Sequence, residues 1–416
     1  MKKRVSEKLK FRVITFYMLI IIAFALINTP LNEIIIGYKK IVFSTDILIS
    51  DYIKIGGLGA SFINSGLLGL IALLFIKINK TKLNGLSIAA IFTISGFSLF
   101  GKNTINVIPI IIGVWLYSLY QKEQFNKFII PALFGTALAP MVSQIASIFN
   151  FSITGIILGI FLGIIIGFII PPIASHVIVA HEGFNLYNIG FTAGIIGTII
   201  ISVFKAFNLD FQGQLLWSTQ FTKPIFIFLC FYFVSMILIG YILANKNNHS
   251  LKNIKKLWKR PGRAVTDFVI SDGFSLTLIN MGIMGLAYTL VIILIRAPLN
   301  GPVVGGIFTI IGFSAFGKHP FNTAPIVIGV LLGALTKGWT LQDPSFILAL
   351  LFSTTLAPIA GFFGSISGII AGFLHLTLVG NLVYLHGGLN LYNNGFSGGL
   401  IATFLYPLLD GLKKER

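Results

Sequence analysis

Two short polar turns could carry the chemistry of this chain. Gly101-Lys102-Asn103-Thr104-Ile105-Asn106 and Gly317-Lys318-His319-Pro320-Phe321-Asn322 each interrupt a long apolar stretch, with Ser98 and Ser314 just upstream. Each turn sets an ammonium group beside amides. If both lie at the tips of helical hairpins, the lysines and helix N-terminal amides converge on one central volume and favour an anion. Charge inside a bilayer is costly and usually functional. The alternative is that the segments span fully and the lysines snorkel to the two interfaces.

A second pair of clusters offers uncharged donors and acceptors: Asn185, Tyr187 and Asn188, matched by Asn390, Tyr392 and Asn393. They could line a solute path, or serve as helix caps with interfacial tyrosines. His181 and His386 precede them, as members of a proton relay or as satisfied interfacial donors. A third set is Asp51 with Asn64 and Asp267 with Asn280. Each aspartate precedes a glycine-rich run, as a helix cap or a lysine partner. Each mid-run asparagine must find a partner, as glue between helices or as a cation ligand through its carbonyl oxygen.

All these residues come in pairs because the chain is duplicated. Residues 92–114 (FTISGFSLFGKNTINVIPIIIGV) and 308–330 (FTIIGFSAFGKHPFNTAPIVIGV) are identical at 15 of 23 positions, at an offset of 216. The offset becomes 218 for TALAP (136–140) and TTLAP (354–358), then 205 for HEGFNLYNIGFTAG (181–194) and HGGLNLYNNGFSGG (386–399). One repeat covers roughly 10–207 and the other roughly 225–410. The chain divides into a first transmembrane repeat (1–207), a connecting segment with the second repeat's first helix and a basic loop (208–271), and the remainder of the second repeat (272–416).

Composition sets the class. Of 416 residues, 56% are hydrophobic and 10% charged, against about 25% charged in soluble domains. Runs such as 151–173 and 225–244 reach the ~20 residues that span a bilayer. The net charge of +18 is clustered: Lys2, Lys3, Arg4, Lys8, Lys10 and Arg12 at the start, seven basic residues between Lys246 and Arg263, then Lys413, Lys414 and Arg416. That is the positive-inside pattern, facing anionic lipid rather than nucleic acid. It predicts a plasma-membrane protein with both termini and loop 245–263 in the cytoplasm. One cysteine, Cys230, allows no internal disulfide.

Hydropathy gives seven apolar segments per repeat, near 12–29, 56–77, 86–101, 105–120, 128–149, 151–180 and 190–207, then 225–244, 272–295, 302–317, 322–337, 346–363, 365–385 and 390–409. The loop at 30–55 is charge-balanced, whereas its counterpart at 246–263 carries +7, so equivalent loops lie on opposite sides. The expected fold is an all-α membrane protein with two inverted structural repeats. Each has seven crossings or, as favoured here, five crossings plus a re-entrant hairpin. Segment 86–101 would be only ~24 Å long, short for a core of ~30 Å.

No Walker A, HExxH, GxSxG or metal-spaced Cys/His cluster occurs, so no enzyme activity, cofactor, metal or catalytic residue is expected. Inverted repeats with interrupted helices are a transporter build, with the site at the repeat interface. The paired GFSxFGK and LYNxGF blocks resemble a family of duplicated integral membrane proteins from Gram-positive bacteria, known as a domain of unknown function, which implies no activity. Gly388-Leu389-Asn390-Leu391-Tyr392-Asn393 is also faintly similar to the Gly-Leu-Tyr-Gly-Phe-Asn-Gly stretch of urea channels, whose Leu-Thr-x-Pro-Phe motif is missing here. The expected function is secondary transport of a small polar, anionic solute, coupled to sodium or a proton, by a chain able to form homo-oligomers. The alternatives are a passive channel for a small neutral solute and a non-transporting scaffold or subunit.

Overall fold

A computed structural model describes residues 5–211, 213–247 and 250–412. Lys2, Lys3, Arg4, His249, Lys413, Lys414 and Arg416 lie outside the described residues. The first repeat runs α1 (Glu7–Asn28), α2 (Leu31–Val42), α3 (Tyr52–Ile78), α4 (Gly85–Phe97), α5 (Ile108–Tyr120), α6 (Ile129–Gly135), α7 (Ala139–Ile148), α8 (Ile153–Ala180) and α9 (Asn188–Ala206). The second runs α10 (Thr222–Lys246), α11 (Ile254–Leu257), α12 (Phe268–Ser271), α13 (Phe274–Leu294), α14 (Gly301–Phe313), α15 (Pro320–Lys337), α16 (Pro344–Phe352), α17 (Ala357–Phe363), α18 (Ser365–Val379) and α19 (Asn393–Gly411). Among the described residues there is no strand beyond one isolated bridge, Ser50 to Leu216. Eight helical stretches are long and apolar enough to cross a membrane: α1, α3, α6–α7, α8, α9, α10, α13 and α16–α17.

The repeats are inverted. Helices α4 and α14 are equivalents and pack against each other head to tail: Gly85 lies against the Ala315 carbonyl, Gly301 against that of Leu99, Gly96 against that of Gly305 and its equivalent Gly312 against that of Ala89. Equivalent helices that run antiparallel require a two-fold axis across them, so each repeat is upside down relative to the other. The same axis passes α9 and α19, where Gly190 and Gly395 meet Cα to Cα. A Cβ on Gly190 would lie 3.0 Å from the Gly395 Cα, so neither position has room for a side chain.

Polar contacts assign the loops to two faces. On one, Lys10 Nζ donates to the Leu83 carbonyl and Glu7 accepts from the Leu83 amide. Asp267 accepts from the Gly85 amide at 2.7 Å, and Arg263 pairs with Glu182 at 2.8 Å. Tyr406, near the end of α19, stacks on Phe184 beneath the same arginine. This basic face gathers the start of α1, residues 79–84, the basic loop and the end of α19. On the opposite face residues 48–51 pair with 214–216, Asp51 accepts from the Ser218 amide, and Asn300 donates to the Ser218 carbonyl.

Each short helix pair is a hairpin that enters and leaves on one face. Gln342, beyond the end of α15, donates to Ile295 O at 2.7 Å, beside the start of α14. Lys127, beyond α5, shares a cavity mouth with Ala264 and Val265 of the basic face. With 13 residues, α4 covers ~20 Å and its tip stays inside the protein. With one hairpin per repeat, the first repeat has five of the eight candidate spans and the second has three, with α18 and α19 standing as the repeat equivalents of α8 and α9.

Several boundaries differ from expectation. The stretch 30–55 is not all loop: α2 lies within it, its apolar positions Ile34 and Ile41 buried while its lysines stay exposed. Segments 128–149 and 346–363 break at 3-10 turns, 136–138 and 353–356, where TALAP and TTLAP place a proline in the next helix's first turn. Segment 365–385 stops being α-helical at Val379 and 390–409 begins at Asn393. Near Asp51 and Asp267 the chain folds back on itself. Gly57 (φ 84°) and Gly273 (φ 93°) hold positive φ, which a side chain disfavours, so 58–78 and 274–294 are the regular helices.

Topology gives a direct test. In a Cys230→Ser background, single cysteines at Lys122 and Gln342, just past equivalent hairpins, should react with membrane-impermeant reagents from opposite faces. Labelling of both from one side contradicts the inversion.

Candidate functional site

Each hairpin tip is tied down by the asparagine of its own repeat. Asn64 Nδ2 donates to Ser98 O and Lys102 O, both at 2.7 Å. Asn280 repeats this on Ser314 O and Lys318 O at 2.8 and 2.9 Å. Helix-end carbonyls are thereby satisfied, and through Nδ2 the asparagines act as glue between helices. Their oxygens differ: Asn280 Oδ1 accepts from the Trp258 indole, whereas Asn64 Oδ1 is buried without a partner.

The lysines then reach across the axis. Lys102 Nζ donates to Tyr392 Oη at 2.7 Å; Lys318 Nζ donates to Tyr187 Oη and, at 2.7 Å, to Thr354 Oγ1. Each ammonium group lies over the ring of the tyrosine it contacts, 4.6 and 4.4 Å from the centroid, and 5.3 Å from Phe97 or Phe313. Cation–π attraction and one or two neutral oxygens are thus what hold the charge. Both lysines are 0% exposed, and among the described residues neither is ion-paired. Snorkelling to an interface does not occur.

Between the two tyrosines opens a cavity of about 410 Å³ whose wall includes three pairs of repeat equivalents, Thr93 and Thr309, Phe97 and Phe313, and Tyr187 and Tyr392, while its outer part is lined mostly by the first repeat. It lies on the two-fold axis and extends to Ala264 and Val265 on the basic face. Thr93 Oγ1 in its wall has no partner. The expected convergence of lysines and helix amides on one volume is corrected here: the tyrosines stand between ammonium and cavity, and the tips present carbonyls already bonded to asparagine. Equivalents of Ala264 and Val265 on the opposite face, Leu48 and Ile49, are bridged by the inter-repeat segment through Ile49 N to Gln214 O, Gln214 N to Leu48 O and Leu216 N to Ile49 O.

The other expected residues support this frame. Asn103 and Asn106 cap each other's turn, Asn106 Oδ1 accepting from the Asn103 amide at 2.9 Å; Asn322 does the same for the His319 amide. His319 Nε2 meets Arg260 O at 2.9 Å. Ser98 and Ser314 donate to carbonyls one turn back. Asn185 Nδ2 donates to Gly395 O of the other repeat and Oδ1 accepts from Tyr187 N–H and Thr355 Oγ1; Asn390 Oδ1 accepts from the Tyr392 amide, while Asn390 Nδ2 and Asn393 Oδ1 are buried without a partner. Asn188 pairs with His181 Nε2 at 2.9 Å and Ala174 O.

His181 contacts Asn188 at the start of α9, and His386 of the other repeat contacts Gly194 O and Thr198 further along the same helix, so each meets polar partners on α9. Asp51 and Asp267 cap rather than pair with lysine: Asp51 accepts from Ile53, Ser218 and Gly301 amides, Asp267 from those of Ile270 and Gly85. Each caps the hairpin helix of the other repeat as well as its own short helix.

Sequence reasoning missed Thr93 and Thr309, which are hidden inside the repeat block as ordinary helix residues. It also missed Asp46, which has no matched acid, because the equivalent position is Gly262. Asp46 is 0% exposed and bonded to Tyr52, Ser44, Asn103 and Asn106.

The Lys–Tyr pairs make a stability prediction. Tyr392→Phe leaves a buried ammonium group short of its oxygen and should cost about 1–3 kcal/mol. In a Lys102→Met background the same change should cost much less, since the two residues are coupled. Lys102→Met alone should leave the melting temperature unchanged or raised, because a buried charge without a counter-ion is unfavourable. Additive losses in denaturation of the two single variants and the double variant would show that the contact carries no energy.

No curated protein and no solved structure matches the chain. The family described as "Protein of unknown function (DUF1576)" matches it twice, over residues 31–206 and 246–411. These two stretches follow the duplication read from the sequence and leave α1 and α10 outside. The chain is a duplicated member of the DUF1576 family.

Proposed function

We propose that this protein is a secondary transporter of the plasma membrane, with its solute site in the axial cavity and its basic face in the cytoplasm. The observation that carries this reading is the cavity itself: it sits where the inverted repeats meet, and both repeats supply equivalent residues to it. A site placed there is contacted by both halves, so rocking one half against the other can expose it to either face. The described cavity reaches Ala264 and Val265 of the basic face, and the inter-repeat segment bridges residues 48–50 on the other, which favours alternating access over a passive channel.

The wall chemistry suggests the solute. Phenylalanine and tyrosine rings supply apolar contact, and the hydroxyls of Tyr187 and Tyr392 supply the few directional bonds that orient a ligand. Behind the tyrosines the two ammonium groups give the site a positive field with no internal counter-charge. A small organic anion with an apolar body fits this combination. Its carboxylate or similar head would take hydrogen bonds from the phenols, each of which has its own proton to donate while its oxygen accepts from lysine. No covalent chemistry is required.

The test is a thermal-shift screen of the purified protein against organic acids, inorganic phosphate, polyols and urea. A ligand at 100 times its dissociation constant stabilises the folded state by about 2.7 kcal/mol. Organic acids should raise the melting temperature of the wild type and fail to do so in Lys102→Met/Lys318→Met. Stabilisation by urea alone, unchanged in that variant, would instead support a neutral-solute channel.

A further inference from the structure

Asp46 lies in the segment between α2 and α3, outside the helices that span the membrane. Four neutral donors aim at its carboxylate: Ser44 Oγ and Tyr52 Oη at Oδ1, both at 2.5 Å, and the side-chain amides of Asn103 and Asn106 at Oδ2, at 3.2 and 3.0 Å. The amide orientations are fixed, because Asn103 Oδ1 accepts from the amides of Ile105 and Asn106, and Asn106 Oδ1 accepts from that of Asn103. The carboxylate therefore faces N–H and O–H groups, not oxygen lone pairs. A metal cation would need oxygens here, and the cradle turns hydrogens toward the site instead.

A proton is different. Ser44 Oγ is 2.5 Å from Asp46 Oδ1 and 2.9 Å from Ile41 O, and a hydroxyl has one hydrogen to give. With Asp46 ionised, Ser44 donates to it. With Asp46 protonated, the acid donates to Ser44, which turns its hydrogen to Ile41 O. Both states are satisfied, and half-buried Ser44 connects the acid to the opposite face. No second acid exists in the other repeat, since Gly262 holds the equivalent place.

We propose that Asp46 is a proton-binding site that controls the first hairpin tip: ionised, it holds Asn103 and Asn106, and protonation loosens that hold. Asn103 adjoins Lys102, whose ammonium bonds Tyr392 in the cavity wall. Bound protons and the cavity are thus linked through one turn of chain, and a proton becomes the coupling ion if the transport reading holds. The surroundings leave the acid without a charged partner. Tyr52 faces it from α3, Ser143 from α7 and the two asparagines from the hairpin, Lys39, Lys40 and Lys54 are exposed, and Asp51 is occupied by backbone amides. Burial pushes Asp46 from 3.8 up to about 7, against the opposing pull of its hydrogen bonds. The folded chain thus keeps a proton that the unfolded chain loses, so the contribution of Asp46 to stability is fullest in acid and is lost as pH rises through about 7.

Two measurements on the full chain in liposomes test this, with the proton as the only ligand. Infrared titration from about pH 9 to about pH 5, across the range of a raised carboxyl, should show a protonated-carboxyl band growing in the wild type, and the wild-type minus Asp46→Asn difference should isolate the part due to Asp46 from that of Asp51, which burial pushes up to about 6. Hydrogen exchange of residues 98–107, corrected for intrinsic rates, should lose protection as pH falls in the wild type and be pH-independent in the variant. Should Asp46→Asn fail to fold, Tyr52→Phe removes one donor to the ionised form and should raise the band's midpoint. The same band in the wild type and in Asp46→Asn, or an Asp46-dependent band with pH-independent protection of the tip, overturns the proposal. Neither outcome touches solute binding in the thermal-shift screen, and absent solute binding with a titrating Asp46 would sink the transport reading alone.

Discussion

Two buried lysines, with no acidic partner among the described residues, constrain the rest of the structure. A charge taken out of water is expensive, and the chain meets that cost by crossing its own symmetry axis. Lys102 of one repeat finds the phenol of Tyr392, and Lys318 finds that of Tyr187. Lys318 also has Thr354 of its own repeat, whereas Lys102 has the phenol of the other repeat as its hydrogen-bond acceptor. The reciprocal pairs therefore join the halves at their centre and, in the same stroke, set two tyrosines on the wall of the axial cavity.

The helices follow from what the tips need. A lysine at that depth requires a hairpin, and a hairpin exposes helix-end carbonyls that must be bonded. Asn64 and Asn280 supply those bonds from the adjacent long helices. The far ends of α4 and α14 need caps, which Asp267 and Asp51 provide from the opposite repeat. Gly57 and Gly273 let the short preceding segments fold back so that the aspartates arrive there. The repeats thus cap, anchor and neutralise one another at successive levels along one axis.

Much of this was legible because duplication acts as a filter. Residues that matter in both copies recur at fixed offsets, so Lys102 and Lys318, Asn64 and Asn280, and Tyr187 and Tyr392 stood out against an apolar background. Charge asymmetry between equivalent loops gave the inversion. The filter hides whatever occurs once. Asp46 has no partner acid, the segment that bridges residues 48–50 belongs to neither repeat, and α2 sits inside a charge-balanced stretch that read as loop. Nor could spacing alone reveal that each lysine would be met by the other repeat's tyrosine, since the contact spans 290 residues for Lys102 and 131 for Lys318. That screening by phenol, rather than direct exposure of ammonium to the cavity, is a tertiary fact.

The most direct measurement is access to the cavity from each side. Thr93 lines it near the axis, so a single cysteine there, in a Cys230→Ser background, reports which face is open. Impermeant thiol reagents should modify it quickly from the basic face and, as the halves exchange orientation, more slowly from the opposite face as well. Modification from the basic face only, however long the exposure, would mean that the cavity never opens to the other side and that the protein does not carry its ligand across.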